Sequence, residues 1–374
     1  MSDPLHHAVD LDLEPQEASG LVASGSVELK DRLGMDPLYW TVLDDGPVER
    51  CVALIGQAAG TEEPTARWGS THLVATITTP TGPTDDGEAI ALHDGWVYVL
   101  GSAYGSKEGP LDAARNFVAR FHESDVTVDE DGRPTADLHV SADPFVLHRV
   151  VNDALHAAGV DLMAWSPKFL RKTLGKARKQ AIGEGQPWSW RLSHDDSPVN
   201  IEGAAFTEDG SLLLGLRVPV TRMGQAMVVE VHHPERLFDP ATEDPEPGRV
   251  VVLDGVGSRA APVGVRDLHL ADGRLHALLG NLDSDPDDSI LLDQHPEGGV
   301  AESVHVVGDL PGRLEARAVV QAMDIEVVRR FDGLFRVEGL AADAKGRFLY
   351  VSDEDNTVRT RFFTSGSTSV VADG

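Results

Sequence analysis

The sequence predicts an all-β fold, a β-propeller of five blades, with six as the alternative, carrying a helical insertion. Three observations lead there. A strand–turn–strand unit recurs, its copies are evenly spaced once one segment is set aside, and each period holds further β-rich runs. The clearest copy is Val199 to Arg217, VNIEGAAFTEDGSLLLGLR, where an acid and a small residue open the first strand and Asp209-Gly210 makes the turn. Asp-Gly between apolar runs is a strong hairpin signal, because both residues tolerate the left-handed backbone of a tight turn.

Taken in order, the first copy is the weakest: Glu17-Ala18-Ser19-Gly20-Leu21, then Leu38 to Leu43, ending at Asp44-Asp45. The second runs from Gly87-Glu88-Ala89 through the turn at Asp94-Gly95 to Leu100, and the third is the stretch just quoted. A fourth, degenerate copy starts at Arg266-Asp267-Leu268 and turns at Asp272-Gly273. The fifth starts at Val337-Glu338-Gly339 and turns at Lys345-Gly346. The acids at 17, 88, 202, 267 and 338 are separated by 71, 114, 65 and 71 residues. Residues 145–185 read as helices, and leaving those 41 residues out shortens the long interval to 73. The helices are therefore an insertion between blades two and three. Further β-rich runs, Gln225 to Val231, Arg249 to Leu253, Ser289 to Leu292 and Ser303 to Val307, give four strands per period. The last period lacks an outer strand, which His7 to Leu13 is expected to supply, closing the ring and removing a free edge. Asp324 to Phe331 is left unassigned and keeps six blades open. No composition shift divides the chain, so 1–374 reads as one propeller domain.

Composition narrows the function classes. The net charge is −29 with 41% apolar residues, enough for a sizeable core. Such a charge repels phosphates, so no nucleic-acid partner is expected. No apolar run reaches the roughly 18 residues of a membrane span, and MSDPLHHAVDLDLEP lacks the basic start and apolar core of a signal peptide. With Cys51 the single cysteine, no intrachain disulfide forms and a cytoplasmic setting is expected. The histidines show no zinc spacing, and no nucleophile elbow, phosphate loop or dinucleotide fingerprint occurs.

Chemistry is expected at the channel mouth. If the first strand of each hairpin is innermost, Glu17, Glu88, Glu202, Asp267 and Glu338 converge. Clustered carboxylates need a cation, an arginine or protons to coexist, unless each caps backbone amides of a neighbouring blade. Calcium suits such a ring best on ligand hardness, then magnesium or manganese. A second, less regular ring follows the second strands: Asp44 and Asp45, Ser102, Arg217, Asn281, and Asp353 with Asp355. Arg217 is placed either to clamp an anionic ligand or to neutralise Glu202 or Glu338. The helix at 167–182 gathers Lys168, Arg171, Lys172, Lys176, Arg178 and Lys179 and is a candidate contact surface, whether for a partner or for the acidic propeller itself.

The EG[LA]A–turn–strand unit, with its GLR and SDED sequels, resembles uncharacterised bacterial β-propellers known only as domains of unknown function. It is more distantly similar to the esterase-like phytase and gluconolactonase/regucalcin propellers. The lactonase resemblance implies a divalent cation held by Glu202 or Glu338 with Asn281 and Asp353, although that group has six blades. Two functions follow as expectations: a propeller that binds a small molecule or a protein at an acidic channel mouth, or a metal-dependent hydrolase of an ester, lactone or phosphate ester.

Overall fold

The computed structural model describes residues 8–11, 13, 17–44, 46–62, 67–79, 82–105, 109–141, 143–239, 241–283, 289–312, 319–352 and 360–364. Strand β1 (Ala8–Leu11) comes first. Blade one is β2 (Ala18–Ala23), β3 (Met35–Leu43), β4 (Val52–Ala58) and β5 (Trp68–His72), with helix α1 (Val27–Leu33) between its first two strands. After β6 (Val74–Ile77), blade two is β7 (Gly87–His93), β8 (Trp96–Gly101), β9 (Val118–His122), β10 (Thr127–Val128) and β11 (Pro134–Val140), and β6 pairs with β11 in parallel. The insertion holds α2 (Val146–Ala158), α3 (Pro167–Leu170), a π-helical turn at Arg171–Gly175 and α4 (Lys176–Glu184). Blade three is β12 (Asn200–Phe206), β13 (Leu212–Val218), β14 (Met227–His232) and β15 (Glu246–Asp254). Blade four begins with β16 (Gly264–Ala271), β17 (Arg274–Gly280) and β18 (Val304–Asp309). Then β19 (Val320–Asp324) adds to the edge of β15, while β20 (Glu326–Arg330) is the outer strand of blade four. Blade five is β21 (Val337–Ala342), β22 (Phe348–Ser352) and β23 (Thr360–Thr364).

The ring has five blades. Each innermost strand, β2, β7, β12, β16 and β21, packs against the next, and β21 packs back on β2. β1 pairs antiparallel with β23, from Ala8 opposite Phe363 to Leu11 opposite Thr360, so the two ends of the chain share one sheet. The run left unassigned by the sequence, Asp324 to Phe331, supplies β20 rather than a sixth blade. The run Ser289 to Leu292 is not a strand. Ile290, Leu291 and Leu292 pack consecutively into a core under the insertion, which an alternating strand cannot do.

Local chemistry explains the hairpins. In blades two and four the loops are two residues long, and both residues take positive φ: 48° and 79° at Asp94-Gly95, 51° and 73° at Asp272-Gly273. Inner strands are buried on both faces, so they read as near-continuous apolar runs. Close approach of blades fixes the small residues: a Cβ on Gly203 would lie 3.0 Å from backbone atoms of Asp267 and Leu268 on the next blade.

The insertion lies across one face of the ring. α2 packs its apolar side on the outer strands of blade three. Phe169, Met163 and Leu170 cover Val218 and Val220 at the end of β13 and Leu282 beyond β17. A buried clip fastens it: Arg149 Nη1 reaches Asp196 at 2.9 Å, Ser193 N donates to Asp196 at 2.7 Å, and Ser197 N donates to Asn152 Oδ1 at 2.8 Å. The buried residues Phe169, Thr173, Leu174, Ala177 and Ala181 recur at helical spacing, so one face stays buried through the π-helical turn. Lys168 pairs with Asp293 of the same chain at 3.0 Å, while Arg171, Lys176, Arg178 and Lys179 stay exposed.

Candidate functional site at the channel mouth

Every inner strand carries an irregularity in its pairing near its start, and these place one residue per blade at the channel. The ladder skips Ser19 in β2, Glu88 in β7, Glu202 in β12, Arg266 in β16 and Glu338 in β21. A β-bulge re-aims the side chain of the extra residue. The fourth member of this ring is therefore Arg266, not Asp267, and the first is Ser19, not Glu17.

Asp267 is turned away from the channel. Its Oδ1 accepts from Leu268 N at 2.8 Å and its Oδ2 from Leu340 N on blade five at 2.7 Å, with no exposed surface. Burial holds its carboxyl well above the usual range, and the amide hydrogen bonds offset this only partly. This is the amide-capping role. Glu202 and Glu338 pair with arginines instead.

Arg266 joins blades three and five. Its Nη1 lies 2.9 Å from Glu202 Oε2, and its Nη2 donates to Glu338 Oε1. On its other oxygen Glu202 accepts from Arg217 Nη1 at 2.6 Å and Asn200 Nδ2 at 3.1 Å. Arg217 also donates through Nε to the Asn281 carbonyl at 3.1 Å and through Nη2 to Asn281 Oδ1 at 3.2 Å. The chain Asn281–Arg217–Glu202–Arg266–Glu338 is thus a row of alternating charge across three blades. Burial, with Arg217 nearby, lowers the Arg266 pKa to about 10, so it stays charged at neutral pH. Burial opposes the Arg217 charge too, but Glu202, Asp283 and Glu88 outweigh it and raise its pKa.

Glu88 is different. It keeps partial exposure along the channel, and among the described residues no hydrogen-bond donor reaches its carboxylate. Burial first, then Asp86, Glu202 and Asp44, drive its pKa well above the usual range, against a weaker pull from Arg266. Asp86 sits beside it, receiving the Ser102 hydroxyl and pairing with Arg115 at 2.9 Å. Burial outweighs these contacts and leaves the Asp86 pKa raised. Tyr104, whose phenol is raised by burial and by Asp283, completes the wall under the insertion.

The four residues expected to hold a divalent cation fare unequally. Glu202 and Glu338 are engaged by arginine, Asn281 Oδ1 accepts from Arg217, and Asp353, with Asp355, lies outside the described residues. Among the described residues no group of three or more His, Cys, Asp or Glu is arranged to hold a metal ion. Two guanidinium groups occupy the centre of the expected ligand set, a poor fit for a further cation.

Sequence reasoning missed Arg266, Asp86, Arg115 and Tyr104. The signal for Arg266 was present: Ser19-Gly20-Leu21, Arg266-Asp267-Leu268 and Glu338-Gly339-Leu340 align when the shared leucine is the anchor. Aligning on acids instead shifted blade four by one residue, which on a strand selects the opposite face.

No family model matches the chain, and no curated protein matches it. Several solved structures are similar at low level. A GH43 protein from Bacillus licheniformis, a BlXynB mutant, shares 12% identity at a TM-score of 0.37, over 99% of this chain and 55% of its own. The chain thus spans about half the length of that protein. An exo-1,5-alpha-L-arabinanase from a bovine ruminal metagenomic library shares 9% at 0.38, over 99% and 96%. An alpha-L-arabinanase mutant from Cellvibrio cellulosa shares 10% at 0.37, over 92% and 90%. None of these three is a phytase or a lactonase. The five-bladed ring rests on the sheet topology above.

Proposed function

We propose that the protein binds a small, neutral, hydroxylated molecule at the channel mouth. The observation that carries this is the Glu88 carboxyl, which is enclosed among acids and has no hydrogen-bond donor among the described residues. When protonated, which its raised pKa favours, it donates; Asp86 and Glu202 beside it accept. Hydroxyl groups do both, and the arginine–glutamate row leaves little net charge to attract an ion. The surrounding excess of acid disfavours anionic ligands. A melting-temperature screen of neutral sugars, polyols and lactones tests the reading, with Glu88→Gln as the comparison. A compound that stabilises the wild type and binds at least about tenfold more weakly to E88Q supports it. A screen in which no neutral hydroxylated compound shifts the wild type sinks it.

A hydrolytic reading is favoured by the same carboxyl. Glu88, whose carboxyl is raised by burial and neighbouring acids, and Glu202, paired with two arginines, form an unlike pair, the arrangement by which one carboxyl can give a proton while another is held by cations. In that case water adds to the acyl carbon of an ester or lactone and passes a proton to Glu202, while Glu88 gives its proton to the leaving oxygen as the C–O bond breaks. Turnover of such a substrate, lost in E88Q while binding persists, separates catalysis from binding.

A further inference from the structure

A second cavity opens on the opposite face of the ring, between blades two and three. Its volume is about 700 Å³, a size that accommodates a small organic molecule. The hairpin turns at Asp94-Gly95 and Asp209-Gly210 form its lips, and Trp96, Tyr98, Arg120 and Phe206 form its walls. Every acid lining it already has a partner. Asp94 meets His93 at 3.5 Å, Asp209 accepts the Thr207 hydroxyl at 2.5 Å, Glu235 meets His233 at 3.4 Å, and Glu246 meets Arg236 at 3.2 Å.

Arg120 breaks this pattern. Its guanidinium carbon sits 4.5 Å from the Trp96 ring centre and 4.1 Å from that of Phe238, so aromatic faces hold it in place. Its Nη1 donates to the Tyr98 hydroxyl at 3.2 Å. Its Nε is buried with no acceptor, and among the described residues no carboxylate pairs with it. Unlike Arg171 and Arg178, which stand exposed to solvent, Arg120 is partly buried. The aromatic rings fix the plane of the fork but do not neutralise it, and a planar guanidinium matches a carboxylate in two parallel hydrogen bonds.

We infer that this inter-blade cleft binds a small organic carboxylate, anchored by Arg120, with its apolar body against Phe206 and the stacked His93. The His93 and Phe206 rings lie 5.0 Å apart at 18°, a flat platform for such a body. The inference is independent of the channel mouth.

Calorimetric titration with benzoate, indole-3-acetate and glucuronate tests it, with inorganic phosphate and neutral benzyl alcohol alongside. The expected result is saturable binding of at least one carboxylate to the wild type, weakened at least about tenfold in Arg120→Gln. If that variant does not fold, Arg120→Lys serves, because it keeps the charge and loses the fork; binding is again expected to weaken. Absence of carboxylate binding, binding that is equal in wild type and variant, or a preference for phosphate over every carboxylate overturns the inference.

Discussion

Arg266 holds two carboxylates of neighbouring blades at once, and its own side chain is only 4% exposed. Removing one member of a buried pair strands the other charge, at a cost of about 3–5 kcal/mol. Arg266→Met is therefore expected to lower the unfolding free energy at pH 7 by that amount, read by denaturant titration. A loss below about 1 kcal/mol would mean that Glu202 and Glu338 are satisfied without it. Glu88 makes an opposite prediction about pH. Its folded pKa is raised, so above the ordinary carboxylate value near 4.3 the unfolded chain releases a proton that the native state keeps. Stability from this group is present at low pH and is lost as pH rises through the raised value. Glu88→Gln cannot lose it, so the variant should gain melting temperature relative to wild type as pH rises above about 4.3, and parallel curves would refute the raised carboxyl. These two residues also mark how far the sequence could be read. Glu88, Glu202 and Glu338 were legible because each precedes a small residue required by close-packed blades. Arg266 was not, because a bulge shifts the register by one residue and nothing in the spacing of acids reports a bulge. The pairing of Arg217 with Glu202 was one of two readings left open, and geometry alone could choose between them.

Strands and helices carry the next scale of consequence. β1 closes blade five, and Leu11 and Leu13 are buried at 4% and 1% exposure. Burying each such leucine stabilises by about 1.5–3 kcal/mol. Removing residues 1–13 should therefore cost at least about 3 kcal/mol, before the lost ladder is counted, and should appear as a lower denaturant midpoint with fast amide exchange in β23. An unchanged midpoint would show that the β1–β23 pairing does not hold the ring. Blade four carries a row of histidines on adjacent strands: His269 on β16, His276 on β17 and His305 on β18. His276 Nδ1 lies 3.0 Å from His305 Nε2, and His305 Nδ1 lies 2.8 Å from the Tyr350 hydroxyl. Burial lowers His269 and His276 to about 4 and His305 well below its ordinary value, with Arg329 adding to the last. A depressed histidine pKa means that the unfolded chain binds the extra proton first. Stability is then full above about pH 6.5 and falls as pH drops toward 4. Melting curves across that window should show the loss, and His305→Gln should flatten it; an equally steep fall in the variant would assign the loss to other groups. The sequence showed strand positions for these histidines but not that three strands stack them, since cross-strand register is set by hairpin geometry.

At the scale of the molecule, the net charge of −29 and the arginine-filled mouth make separable predictions about ions. Self-repulsion among exposed carboxylates weakens as the screening length contracts from about 30 Å at 0.01 M salt to about 10 Å at 0.1 M. The melting temperature should therefore climb gradually with potassium chloride, without saturating at low concentration. The buried Arg266 contacts are screened far less, so the rise reports the surface. A divalent ion bound stoichiometrically behaves otherwise, because its contribution grows as the logarithm of concentration over the dissociation constant. With guanidinium groups paired to Glu202 and Glu338, calcium at micromolar concentration is expected to add nothing beyond its ionic strength. Removal of metal by chelation should likewise leave the melting temperature where it was. Were chelation instead to lower it, with one equivalent of calcium, magnesium or manganese restoring it, a cation would have to sit against carboxylates other than this pair. Glu88 and Asp86 would then be the first to examine, since both carry raised pKa values and neither is held by Arg217 or Arg266 through a hydrogen bond. Bound metal would displace the proton from Glu88, and the pH dependence that distinguishes wild type from E88Q would move with it. The two experiments therefore constrain each other: a proton and a metal ion cannot both neutralise the same carboxyl, and whichever one does so also decides whether the mouth donates a hydrogen bond to its ligand.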